Sequence, residues 1–196
     1  MSRQNYMNTG FSDFIESTIL DIDRPQRLVL NGVWEMPFGE GKHFRAGNAF
    51  VDKVIGGWQF SGIASFQGGG PIRTPGGAIA TGQPVRLSTE PTIDKWFNTG
   101  AFAVQPGLPQ PLGQRTLTLY LGDFRNHGIN NFDLSVAKNT KIGERFRLQF
   151  RSEFFNAFNR VQWGNPDTGI TSSNYGKITS QANIPRQIQF GLKLIF

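Results

Sequence analysis

The stretch Arg186-Gln187-Ile188-Gln189-Phe190-Gly191-Leu192-Lys193-Leu194-Ile195-Phe196 alternates with period two. Ile188, Phe190, Leu192, Leu194 and Phe196 fall on one side, and Gln187, Gln189, Gly191, Lys193 and Ile195 on the other. A helix would wrap both sets around its axis, so only an extended chain separates them. The stretch 145–155 repeats the pattern. Phe146, Leu148, Phe150 and Phe154 share one face with Ser152, while Arg145, Arg147, Gln149, Arg151 and Glu153 share the other.

Three more stretches read the same way. At 27–36, Leu28, Leu30, Trp34 and Met36 oppose Arg27, Asn31 and Glu35. At 57–67, Trp58, Phe60, Ala64 and Phe66 oppose Gln59, Ser61, Ser65 and Gln67. At 130–138, Phe132, Leu134 and Val136 oppose Asn131, Asp133 and Ser135. Each run is about ten residues, the ~9–11 that a tilted strand needs to cross a bilayer. No helix and no internal repeat is expected.

The connections differ in length. Asn139-Thr140-Lys141-Ile142-Gly143 reads as a short turn, and 37–52 as a moderate link opening on Pro37-Phe38-Gly39-Glu40-Gly41. The segments 68–127 and 159–185 are long, and the first is dense in Gly and Pro. Short links at one end and long ones at the other are the habit of outer-membrane barrels. A structureless loop of that length would be foreign to a compact soluble domain. Small hairpins outside the membrane are expected at 84–87 and 116–121.

A soluble β-sandwich, secreted or periplasmic and binding carbohydrate or protein, would alternate too. Three features favour the membrane. The polar faces carry Gln, Ser, Asn and Arg on every strand, as a watery lumen would. Trp34, Trp58, Phe66, Phe154 and Phe196 place aromatic rings near strand ends, where interfacial girdles lie. The final strand also runs to the last residue without a polar tail.

Composition narrows the classes further. There is no Cys, which excludes disulfides and thiolate metal sites. The net charge of +6 is scattered without a run of three cations, so nucleic acid is not the expected partner. No apolar stretch approaches the ~20 residues of a membrane helix. Residues 1–10 are polar and lack the apolar core of a signal peptide. Either a targeting segment lies outside this chain or the membrane reading fails.

Chemistry is sparse. His43 and His127 stand far apart and read as isolated loop histidines, not metal ligands. Asp13, Glu16, Asp21 and Asp23 form an acidic cluster, read as a solvated extracellular loop in preference to a Ca²⁺ site. Gly39-Glu40-Gly41-Lys42 lacks the spacing of a phosphate loop, and no G-x-S-x-G elbow occurs. No catalytic site, cofactor or metal is expected. Arg145, Arg147, Arg151 and Lys193 would face the lumen together. They would either attract an anionic solute or, as the favoured reading, pair with Asp133 and Glu153 across neighbouring strands.

The last eleven residues resemble the terminal β-signal of outer-membrane proteins, which ends in an aromatic residue and is read by the barrel-assembly machinery. Ile188, Phe190, Leu192, Leu194 and Phe196 would carry it. Asp23-Arg24-Pro25-Gln26-Arg27, Pro37-Phe38-Gly39, Gly56-Gly57-Trp58-Gln59, Trp96-Phe97-Asn98 with Ala101-Phe102, and Phe150-Arg151-Ser152-Glu153-Phe154-Phe155-Asn156-Ala157-Phe158-Asn159 resemble TonB-dependent receptors of the Oar-like group, those with a carboxypeptidase-regulatory-like domain. The resemblance runs from about residue 20 to the end. It implies that residues 1–196 are the C-terminal part of an outer-membrane β-barrel domain, lacking the plug, the TonB box and the N-terminal domain. Its implied partners are outer-membrane lipid, the assembly machinery, the rest of the barrel and plug, and TonB through the missing part. The expected fold is all-β, with about five long antiparallel strands in a curved open sheet. The strand near 27–36 would lack a neighbour. Such a piece would neither transport nor be stable in a bilayer alone.

Overall fold

The computed structural model describes residues 3–7, 15–39, 41–45, 47–104 and 117–196. In chain order its elements are β1 (Arg3–Met7), β2 (Ile15–Ile19), β3 (Arg27–Glu35), α1 (Ala49–Ile55), β4 (Trp58–Gln67), β5 (Pro71–Arg73), β6 (Ala78–Ala80), β7 (Phe102–Val104), β8 (Tyr120–Arg125), β9 (Ile129–Ile142), β10 (Phe146–Phe155) and β11 (Gln187–Ile195), with a short 3₁₀ turn at Thr99–Ala101. The chain divides into two compact units. One holds 1–27, 67–129 and 161–183; the other holds 28–66, 130–160 and 184–196.

The second unit is one five-stranded sheet in the order β11-β10-β9-β4-β3. All five strands expected from alternation are present, and β3 and β11 form its edges among the described residues. β10 runs antiparallel to both neighbours. Met36 N donates to Trp58 O at 2.9 Å and the rings of Trp34 and Phe60 lie 5.8 Å apart, so β3 and β4 run oppositely as well.

Register gathers the apolar residues of β10 and β11 on one face. Phe150 faces Lys138 and Leu192; Leu148 faces Thr140 and Leu194; Phe154 faces Leu134 and Ile188. A slip of one residue on any strand would mix the two faces. β9 continues through Ile142, so the turn expected at 139–143 falls at 143–145 instead. There Gly143 adopts φ +66°, which a Cβ would resist.

The 36–57 link holds a helix that alternation did not predict. Asn48 caps α1, its side chain accepting from Phe50 N at 2.9 Å and Val51 N at 3.4 Å. Gly56 ends it, lying so close to Gly39 that a Cβ would sit 2.9 Å from the Gly39 Cα. Gly57, at φ +73°, passes the Asn139 carbonyl closely enough that a Cβ would stand 2.1 Å from its oxygen. This contact explains the glycine pair before Trp58.

The first unit has a hydrophobic core of its own. Phe97 is 1% exposed and Ile72 2%, joined by Ala78, Ala101, Phe102 and Phe124. β5 pairs with β8 and β6 with β7, and β1 with β2. The hairpins expected at 84–87 and 116–121 do not form among the described residues, Thr116 lying outside them. Residues 84–87 carry no strand, and residues 120–121 belong to β8, whose partner is fifty residues upstream in β5. Long-range apolar burial wins over local turn chemistry there.

Candidate functional site

The five-stranded sheet presents two chemically distinct faces, and they are the candidate site. On one lie Leu28, Leu30, Trp34, Phe60, Leu134, Phe146, Phe150, Ile188, Phe190, Leu192 and Leu194, every one exposed. Phe190 is 72% and Leu192 71% accessible. Phe150 stacks on Phe190, and Phe66 meets Phe132 edge to face at 5.5 Å. A β-sandwich would bury such a face beneath a second sheet. Contiguous apolar exposure on this scale marks a surface made for something other than water.

The other face is wet chemistry with apolar interruptions. Gln149 Nε2 donates to Asn139 Oδ1 at 2.9 Å, and Asn131 Nδ2 donates to Asp133 Oδ1 at 3.0 Å. Val29, Val33, Ile63 and Phe155 also lie exposed on it, so it is less uniformly polar than the alternation implied. A cavity of about 800 Å³ on the sheet is lined by residues that include Asn31, Ser61, Ser135, Arg151 and Glu153.

The four basic residues expected together are only partly so. Arg147, Arg151 and Lys193 share the polar face. Arg145 sits in the 143–145 turn, outside the strand. Arg151 reaches Glu153 on its own strand at 3.4 Å, not a carboxylate across the ladder. Register explains this: Glu153 faces Ser135 and Gln189, so the cation two residues back is nearest. Being half exposed, the pair contributes little. Asp133 instead accepts from Asn131 and from the backbone N–H of Asn156 at 2.8 Å. Of the residues expected to carry an assembly signal, Ile188, Phe190, Leu192 and Leu194 lie in β11, and Phe196 follows its end, 93% exposed.

Of the acidic cluster, Asp21 is exposed as a solvated loop requires, but Asp23 is not. Asp13 and the Glu16 side chain lie outside the described residues. Asp23 is buried and paired with Arg125 Nη2 at 2.8 Å, a partner 102 positions away. Sequence spacing could not reveal that. Arg24 Nη1 donates to the carbonyls of Asp21 and Asp23. His43 packs edge-on against Phe44 and His127 lies beside Trp96. No group of three metal-ligating side chains occurs among the described residues.

The quoted motifs serve structural ends. Phe97, Ala101 and Phe102 are core, and Asn98 caps the 3₁₀ turn by accepting from Gly100 N at 3.2 Å. Asn156 and Asn159 adopt φ 49° and 51°, and the buried Asn156 amide ties Arg160 and Ile184 at the end of β10. Asp167, outside the sheet, accepts from Ser172 Oγ at 2.5 Å and Gly169 N at 2.8 Å, which hold its carboxyl below the usual range.

A family model for an outer membrane beta barrel domain matches residues 2–189. The chain belongs to this family. No curated protein and no solved structure matches it. Membership places the outer membrane beta barrel domain in the bacterial outer membrane and accounts for an exposed apolar sheet face. No helix among the described residues is long and apolar enough to cross a membrane. A barrel domain crosses with strands. Two contributors escaped sequence reading: Lys138, on the apolar face opposite Phe150, and α1, which it touches. The only signal for them was a lysine falling in phase with Leu134 and Val136.

Proposed function

We propose that this chain is the C-terminal wall of a TonB-dependent outer-membrane receptor of the Oar-like group. In this reading the apolar face meets lipid and the polar face lines the lumen. One observation carries it: the register that sets Ile188, Phe190, Leu192 and Leu194 beside the apolar residues of β10 in a sheet open at β3 and β11. Five strands are fewer than the eight of the smallest single-chain barrels, so closure needs further strands. A receptor barrel of about twenty-two supplies them. The ordered motifs from Asp23 to Asn159 support the finer assignment.

The chain contributes wall, external connections and the terminal assembly signal, not catalysis. Alone it does not transport, since coupling to TonB belongs to a plug and N-terminal segment ahead of it. Its partners are lipid, the barrel-assembly machinery and the remaining strands, and not nucleic acid. The shorter links are periplasmic in such barrels, so this reading puts the 143–145 turn and the moderate 36–57 link on that side.

The test is the mature product in purified outer membranes. Mass spectrometry should find these residues at the end of a much longer chain, and in-cell crosslinking should join that chain to TonB. A complete folded product of this length, or a long one indifferent to TonB, overturns the proposal.

A further inference from the structure

The helix α1 is turned inside out. Its buried residue is Asp52, 7% exposed and approached by Arg45 at 3.8 Å, whereas Phe50 is 76% exposed and Val54 51%. An amphipathic helix packed for water would do the reverse. Phe50 and Val54, four residues apart, lie on one side of the helix.

Two side chains fix where that helix stands. Lys138 and Trp58 belong to the apolar face of the sheet, Lys138 directly opposite Phe150. The Lys138 ammonium donates to the carbonyls of Lys53, Val54 and Gly56 at 2.9, 2.8 and 2.8 Å. Its three protons thus meet three of the carbonyls left free at the helix C-terminus. The Trp58 ring lies 4.7 Å beneath the same ammonium, and its indole N–H donates to Val54 O at 3.0 Å. A lysine on an apolar face is costly without such partners. The helix is therefore docked on the side of the sheet that carries the apolar stripe.

Beside α1 the link carries the cations Lys42, Arg45 and Lys53, while Lys141 and Arg147, which line the same cavity of about 360 Å³, belong to the polar face. Apolar side chains pointing outward beside cations, in continuity with an apolar stripe, match the boundary between acyl chains and phosphate headgroups.

We propose that α1 is an interfacial anchor: Phe50 and Val54 enter the phospholipid leaflet at the end of the sheet that carries the 36–57 link, continuing its apolar stripe, with Arg45 and Lys53 of the same link beside the headgroups. The inference rests on the barrel reading above, which makes the apolar stripe lipid-facing. It adds a patch of membrane contact beyond the strands. Lys138 and Trp58 act as the bracket that keeps the helix at the rim.

The test uses the full-length protein, freed of any cysteine outside this cysteine-free chain. It is folded into vesicles of phosphatidylethanolamine and phosphatidylglycerol. An environment-sensitive dye is placed singly at Phe50→Cys, Val54→Cys, Phe190→Cys and Glu144→Cys. Nitroxide on the lipid and iodide in the water compete as quenchers. The Phe50 and Val54 dyes should lose fluorescence to the lipid quencher as fully as the Phe190 dye, while the turn dye at Glu144 loses it to iodide. If iodide reaches Phe50 and Val54 while Phe190 stays in lipid, the anchor is overturned and the wall stands. Shielding of both helix dyes from both quenchers means that protein covers them, and also overturns it. If iodide quenches Phe190 too, the wall reading itself has failed.

Discussion

Phe150 and Phe190 stack across β10 and β11, with ring centroids 6.2 Å apart and planes 19° from parallel. Each has a polar neighbour one residue away on the opposite face, Gln149 and Gln189. That juxtaposition makes the face assignment testable. In the full-length barrel protein, Phe150→Arg and Phe190→Arg should lower the heat-modifiable folded band, since a lipid-facing Arg near the midplane costs about 2–4 kcal/mol. Gln149→Arg and Gln189→Arg should leave most of it. Equal losses in all four would sink the register.

Phe196 continues the phase of Ile188, Phe190, Leu192 and Leu194 and is 93% exposed. If it is the aromatic end of an assembly signal, Phe196→Ala should reduce the barrel protein folded in outer membranes, normalised to synthesis. Leu192→Ala removes apolar area without touching that end and should reduce it less. The reverse order would remove the signal role.

Gly82 lies in the first unit at φ +84° with open space around its Cα. An epitope inserted beside it should disturb little and should bind antibody on intact cells. Binding seen only after the outer membrane is broken would mean that the long connections face the periplasm.

The Asp23–Arg125 pair is buried, and Arg125 also donates to the carbonyls of Asp23 and Gly69 at 3.4 and 3.3 Å. Asp23→Ala strands that guanidinium, at a cost of about 3–5 kcal/mol. Limited proteolysis should then cut the first unit sooner. Asp21→Ala, whose role is a backbone carbonyl offered to Arg24, should behave as wild type.

Burial pushes the Tyr175 hydroxyl up to about 12. The unfolded phenol titrates near 10, so the native state keeps a proton that the unfolded chain has already lost. Stability is intact below about pH 10 and falls as pH rises from there through the folded value. The hydroxyl is buried without a hydrogen-bond partner among the described residues, so Tyr175→Phe should not weaken the protein at neutral pH. It should flatten the alkaline decline, read by proteolysis of the first unit against pH.

The sheet was legible because each strand stamps its own alternation on nine or more consecutive residues, as Gln187–Ile195 does. α1 was not, because seven residues give too short a window for a helical period, and its apolar positions read as loop. The first unit was opaque for another reason. Ile72 meets Leu121, and Asp23 meets Arg125, across separations that no local pattern encodes. Lys138 sat in plain view, but its purpose needed the helix it holds.

The first unit is assembled from three separated stretches of chain, the last ending at residue 183. Its core residue Phe97 packs against Tyr175 at 5.4 Å, so that core cannot complete until nearly the whole chain has been delivered. Such high contact order slows folding and prolongs the exposure of apolar side chains. Until then Phe97, Phe102 and Phe124, which are core in the finished unit, stay open to water. The first unit thus waits for its final thread, 161–183, before Phe97 can be covered.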